Sequence, residues 1–315
     1  MTQSIALVPY SVRVRVKRGD EYLPLDAIEA GDNTIDFVTF LDEYLTTRTE
    51  TICIDEERQQ SIEVENHTRT QRRINGTLKG GTFGYEAELK NVETGEVKTR
   101  EVDDCELLPF YFRFEHRRHQ TSGLLLLQRF GVHGVKSGFQ ADVTGMLREI
   151  DDDLVLQINP LVTDQEITRL LGGGLKKIRY LRYTVPADAA EDLCLEDNEV
   201  EHCEMETVIK AKRDRFLSIP TWVRDLANDR APAGDVLEID GVEFDDVKIV
   251  ISDGGKMRTL SVNDVRKFRM SIDITEDVDI DDETGQPTFD SVNAVAEEII
   301  PELRTAIGWN DAEQN

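Results

Sequence analysis

The sequence predicts an α+β fold, mostly antiparallel sheet with a few helices, in two closely packed parts. Three observations predict it. Segments such as 11–17 (SVRVRVK) and 176–185 (KKIRYLRYTV) alternate apolar and polar residues with the period of a half-buried strand. Glycines at 76, 80, 81, 84 and 95 punctuate a series of such segments, as turns between antiparallel strands do. Two stretches, 34–47 and 288–307, instead carry apolar residues at helical spacing.

The elements follow in order. Strand 11–17 is expected to bury Val12, Val14 and Val16 and to wet Arg13, Arg15 and Lys17. Helix 34–47 aligns Ile35, Val38, Leu41 and Leu45, with Asn33 or Thr34 as its cap. Short strands are expected at 51–54 and 61–65, then strands 82–92 and 96–102 about a Thr94-Gly95 turn. ELLPFYFRFEH at 106–116 reads as a strand, and the apolar run GLLLLQRFG at 123–131 as a buried one. A helix is expected at 133–150, its first turns weakened by Gly134 and Gly138. Strand 155–162 ends at Pro160; a short helix capped by Thr163 or Asp164 stops at Gly172-Gly173-Gly174, and strand 176–185 follows. Pro186 opens an acidic, less patterned stretch, which divides the chain into a sheet-rich part, 1–185, and an acidic part, 186–315. In the second part strands are expected at 199–211, 235–239, 244–252, 256–261 and 266–274, with a turn at Asp253-Gly254-Gly255. An acidic connector, EDVDIDDETGQP, leads to a last helix, 288–307, burying Phe289, Val292, Val295, Ile299, Leu303 and Ile307 and kinked at Pro301.

Charge narrows the function classes. The 315 residues hold 37 Lys and Arg against 63 Asp and Glu, a net charge of −26. That excludes a simple non-specific DNA coat, which needs a basic face. Residues 186–315 carry 33 acids against 13 bases, and residues 1–185 carry 30 against 24, so a locally basic surface is expected only in the first part. No run of 18 apolar residues occurs, so no membrane insertion is expected. The first residues lack a basic segment followed by an apolar one, and the expected location is the cytoplasm. Cys53, Cys105, Cys194 and Cys203 form no CxxC pair, and Cys194, His202 and Cys203 lack a fourth ligand at zinc spacing, so no metal site is expected.

Two groups of residues carry candidate chemistry. Glu86, Glu88 and Lys90 alternate along one strand face, the arrangement of acid ligands and lysine that a Mg²⁺-dependent nuclease uses; Asp55 or Glu65 would supply a further acid. Exposed alternating charges on a hairpin explain the same pattern. The densest cationic cluster is Arg113, His116, Arg117, Arg118 and His119, followed by Arg129, His133 and Lys136. From 113 to 136 five Lys or Arg face one acid, Glu115, and Phe110, Tyr111, Phe112 and Phe114 interleave; cations beside aromatics hold phosphates and stack bases. The bland alternative is a core strand ending in a solvated basic loop. Further basic runs are Lys176, Lys177, Arg179, Arg182 and Lys210, Lys212, Arg213, Arg215. Gly172-Gly173-Gly174-Leu175-Lys176 follows a helix and precedes a strand, the reverse of a phosphate loop.

The succession GTFGYEAELKN, TGE, LLPFYFRFEH, GLLLLQRFG, VLQINPLV resembles bacterial proteins of phage-defence gene islands, over about residues 74–185 with an echo in TGQPTFDSVNAVAEEI. The resemblance implies a cytoplasmic antiviral role with protein partners, and supplies no functional residues. Combined with the residues, it favours a non-enzymatic binding subunit of a defence module. That subunit would contact nucleic acid or a partner protein through Arg113, His116, Arg117, Arg118, His119, Arg129 and Lys136, and pair with a protein partner or a second copy. Two alternatives stand beside it: a Mg²⁺-dependent nuclease, the only reading with a cofactor, and an acidic scaffold or inhibitor.

Overall fold

The computed structural model describes residues 4–163, 174–182, 205–227, 238–261 and 271–309, apart from 20, 32, 213, 214, 219, 240, 241, 244, 245, 254 and 255. The chain divides into two compact units, 1–159 with 271–315, and 160–270. This differs from the expected division at 185/186. The reason is tertiary: the last helix returns to the first unit, so the chain's two ends belong to one core.

The first unit contains β1 (Ile5–Val16), β2 (Ile28–Ala30), β3 (Asn33–Ile35), α1 (Phe37–Glu50), β4 (Cys53–Asp55), β5 (Gln60–Thr70), β6 (Arg73–Thr82), β7 (Ala87–Lys90), β8 (Val97–Arg100), β9 (Glu106–His116), β10 (Gly123–Phe130), β11 (His133–Gly134), α2 (Lys136–Ile150) and β12 (Leu154–Pro160). The second contains β13 (Leu175–Arg182), β14 (Met205–Lys210), α3 (Thr221–Ala227), β15 (Glu238–Ile239), β16 (Val242–Glu243), β17 (Asp246–Asp253) and β18 (Lys256–Ser261). The first unit resumes with β19 (Ile272–Asp273) and α4 (Phe289–Ala306). The sheets are mostly antiparallel, so the α+β class holds. Among the described residues no helix is long and apolar enough to cross a membrane.

The main sheet runs β12-β1-β10-β9-β6-β5-β4, with β11 beside β10 and β19 beside β1. Alternation along β9 sorts its side chains. Phe110, Phe112 and Phe114 join Leu125, Leu127, Ile74 and Leu78 in an apolar core under α1 and α2. Tyr111, Arg113 and Glu115 point to the opposite face, which α4 covers. Three layers result, one helix pair and one single helix on either side of the sheet. Gly76 permits the close pairing of β6 with the bulged β5: a Cβ there would lie 2.1 Å from the Asn66 carbonyl oxygen. Pro109 is tolerated because pairing of β9 with β10 stops at Phe112, and odd-numbered N–H groups of β9 face that open side.

Several expected boundaries shift for local reasons. Helix α1 starts at Phe37 because residues 33–35 pair with β2, and Asp36 caps it, its Oδ1 accepting from Val38 N at 2.9 Å and Thr39 N at 3.2 Å. Helix α2 starts at Lys136 because His133 and Gly134 pair with β10. Strand β1 is longer than expected and covered on both faces at its centre: Arg13 is buried beside the Tyr22 ring, 4.8 Å from its centroid, while Val16 is exposed. In α4 the buried stripe is Val292, Ala296, Ile300, Leu303, Ala306 and Ile307, not the Val295–Ile299 line. The helix is rotated because Asn293, Glu297 and Arg304 also face the sheet, meeting its polar residues. It continues through Pro301 to Ala306.

The second unit, taken alone, is a four-stranded sheet, β14-β13-β17-β18, with Ile178, Tyr180, Val247, Ile249 and Ile251 on its buried face. Strands β13, β17 and β18 agree with expectation. The short helix after Thr163, the acidic stretch from 186, Cys194, His202 and Cys203 lie outside the described residues.

Candidate anion-binding site

A concavity of about 900 Å³ opens at one end of the main sheet, where two neighbouring hairpin turns meet the last turn of α4. Pairing of Thr70 with Arg73 leaves Gln71 and Arg72 as a two-residue turn, and Gln71 takes a φ of 55°. The β9–β10 turn holds His119 at a φ of 61°. Glycine ordinarily takes such positions, and strained non-glycine backbone clusters at functional sites. Asp26 holds the second turn, both its oxygens accepting from His119 N at 3.0 Å.

A relay behind the wall fixes the turns relative to α1. Arg72 Nη1 lies 2.7 Å from Asp36 Oδ2, and Arg72 Nε donates to His116 Nδ1 at 3.2 Å. An arginine only donates, so His116 carries its proton on Nε2, which donates to Gln120 O at 2.9 Å. Burial first, and then the Arg72 charge, lower the His116 pKa below its ordinary value. Burial alone would raise Asp36, but the Arg72 bond and the two helix N–H groups overcome it and lower its pKa.

The floor is an ion cluster. Arg113, whose side chain is 0% exposed, donates through Nε to Glu115 at 2.9 Å and lies 2.7 Å from Glu297. Glu115 also receives Arg73 Nε at 3.1 Å and Arg304 Nη2 at 2.7 Å, and Arg73 reaches Glu297 at 3.0 Å. Three guanidiniums thus share two carboxylates. Burial works against Arg113, but its bonds to Glu297 and Glu115 raise its pKa further still, and the Arg113 bond lowers Glu297.

The third wall comes from the end of α4. Gly308, at a φ of 88°, donates to Thr305 O at 3.0 Å, and Trp309 N returns to Arg304 O at 2.8 Å, the left-handed Schellman closure of a helix. This seats Trp309, 3% exposed, under the Arg117 guanidinium, 5.4 Å from the ring centroid. Its indole N–H is buried with no partner among the described residues.

Among the described residues, Arg72, Arg73, Arg117, Arg118 and Arg304 line the concavity against one carboxylate, Glu115. Arginine forks suit phosphate and carboxylate oxygens, and their effect is strongest in a recess shielded from water. The chemistry offered is anion capture.

The structure brings together His116, Arg117, Arg118 and His119 from the expected surface and separates the rest. Arg113 is corrected from ligand contact to buried support, because its side chain is fully buried and ion-paired with Glu115 and Glu297. His116 is buried and held by Arg72 and Gln120, so it positions the turn. Arg129 and Lys136 belong to the other end of β10, roughly 20 Å away by six strand steps of about 3.4 Å. Sequence reasoning missed Arg72, Arg73, Arg304 and Trp309. The Gln71-Arg72-Arg73 triplet between two strands was a readable signal; nothing in the sequence marked Arg304 or Trp309.

Glu86, Glu88 and Lys90 belong to the exposed β7–β8 hairpin, where Glu88 stands opposite Thr99 and Lys90 opposite Val97. The further acids are engaged elsewhere, Asp55 by Arg58 at 2.7 Å and Glu65 by Lys79 at 2.8 Å. Among the described residues no group of three or more His, Cys, Asp or Glu is placed to hold a metal ion. In the second unit Lys177 stands directly opposite Lys210, and Arg179 opposite Lys248 with Glu206 bonded to it.

Comparison with protein-family models returns no match, and comparison with curated proteins returns none.

Proposed function

We propose that this protein is a non-enzymatic binding subunit that holds phosphate groups of a nucleic acid in the arginine concavity. The observation that carries the reading is a concavity whose described lining holds five arginines and one glutamate in a chain of net charge −26. A surface so unlike the rest of the molecule concentrates anions against the protein's overall repulsion. The Trp309 N–H, without a partner among the described residues, adds a buried donor suited to an oxygen acceptor. The resemblance over residues 74–185 supports placing this binding in a cytoplasmic antiviral module with a protein partner.

The test is affinity for single- and double-stranded oligonucleotides across a salt series. Arg117→Glu/Arg118→Glu should weaken binding at least tenfold and flatten the slope of log K against log salt by about 1.4–1.8, the release expected for two phosphate contacts. Equal affinity in variant and wild type refutes the assignment. Displacement by polyglutamate as readily as by an oligonucleotide of equal charge would replace nucleic acid with an acidic protein partner.

A further inference from the structure

A second cavity, about 320 Å³, lies on the α4 face of the sheet near that helix's first turn. The acidic connector builds one of its walls. Asp281 Oδ1 accepts from Glu283 N at 3.1 Å and Thr284 N at 2.8 Å, and Gly285 N returns to Asp281 O at 2.8 Å. The loop therefore closes on itself into the Ile280–Pro287 bridge. That closure sets Gln286 and Pro287 along the cavity and leads directly into Phe289, whose ring lies 5.3 Å from that of Tyr111.

Gln128 lines the same cavity. Its Oε1 accepts from Tyr111 N at 2.8 Å, across the gap where β9 and β10 stop pairing. A backbone N–H only donates, which identifies the oxygen end of this amide. The remaining NH₂ is buried with no partner among the described residues, in a residue 4% exposed. Gln286 Oε1 is also buried with no partner among the described residues. Two residues lining one small cavity thus carry a buried donor and a buried acceptor without partners among the described residues, both costly when left unmade. Tyr111, Phe289 and Val292 supply apolar and aromatic walls, the composition of small-ligand sites. At the rim Lys79 is neutralised by Glu65 at 2.8 Å, so the cavity suits a neutral ligand and not a phosphate.

We infer that this cavity binds a planar heterocycle with adjacent hydrogen-bond acceptor and donor, the edge that a nucleobase presents. The ligand's carbonyl or ring nitrogen takes the Gln128 NH₂, its N–H serves Gln286 Oε1, and its ring rests on the aromatic wall. The site shares no residue with the arginine concavity and stands or falls independently of it.

Calorimetric or NMR titration of the full chain with uridine, adenosine and N3-methyluridine tests this. Wild-type protein should bind uridine saturably. N3-methyluridine, which lacks the donor, should bind about tenfold more weakly, the usual worth of one such bond. Gln286→Leu, in a surface loop, should lose about tenfold for uridine with an unchanged melting temperature. A short oligouridylate, titrated in parallel into Arg117→Glu/Arg118→Glu so that the arginine concavity does not hold its phosphates, separates the two sources of the same chemistry: binding of both shows capture of free nucleoside, and binding of the oligomer alone, lost with Gln286→Leu, shows capture of an unstacked base in a strand. Arg117→Glu/Arg118→Glu should leave uridine binding unchanged, so failure of the concavity is distinguishable. Absence of saturable binding by any nucleoside or the oligomer, or equal binding of the methylated and unmethylated ligands, would overturn the inference and leave water as the partner of both amides.

Discussion

Replacing Glu115 with Gln should move stability and anion affinity in opposite directions. The Glu115 carboxylate receives Arg73, Arg113 and Arg304, and Arg113 is fully buried. The substitution keeps the shape but removes the charge, leaving three guanidiniums to Glu297 alone. Breaking a buried pair by removing one partner costs about 3–5 kcal/mol, because the remaining charge has no water to return to. In a unit of about 200 residues, each kcal/mol shifts melting by roughly 2–4 °C, so Tm should fall by about 6–20 °C. Whatever protein remains folded should bind phosphate-bearing ligands more tightly, because the concavity has lost the negative charge of Glu115. The double variant Glu115→Leu/Arg113→Met removes both charges and should regain much of the loss. Thermal denaturation together with oligonucleotide titration reads both quantities. A Tm change under about 2 °C for Glu115→Gln, or weaker anion binding, would refute the view that this cluster both anchors α4 and sets the charge of the concavity.

Two further outcomes follow from the relay behind the site. Asp36→Ala should cost about 1 kcal/mol in urea denaturation through loss of the α1 cap, whereas Asp36→Asn, which still caps, should cost less. Stability should also fall as pH drops through about 6.5: the folded His116 has a lowered pKa, so the unfolded chain takes up the proton first, and the contribution is complete only above the unfolded value. His116→Gln should flatten the dependence in that window, while loss through Asp36 and Glu297, whose pKa values are lowered, belongs below about pH 4.5. A pH profile unchanged by His116→Gln would show that this imidazole does not titrate with folding.

By itself the sequence determined the elements whose signals are local. The aromatic-rich segment 106–116 and the short apolar run 123–131 marked β9 and β10, since a strand's signal is written in neighbouring residues. Helical spacing marked α1, α2 and α4 to within three residues at their starts, and composition excluded a broad basic coat. The basic turn at 116–119 was legible too, because its charges are adjacent along the chain. Tertiary structure alone decided which cations act together. Arg113 reads as one of the cluster, yet strand alternation turns it under α4, where Glu115 and Glu297 consume it. Arg304 and Trp309 reach the same site from almost 190 residues downstream, through a glycine-closed helix end. The face of α4 was equally hidden, because hydrophobic periodicity weighs only apolar residues and this helix docks partly through Asn293, Glu297 and Arg304. A charge's role depends on the charges brought beside it and on the water removed around it, and both are properties of the folded chain.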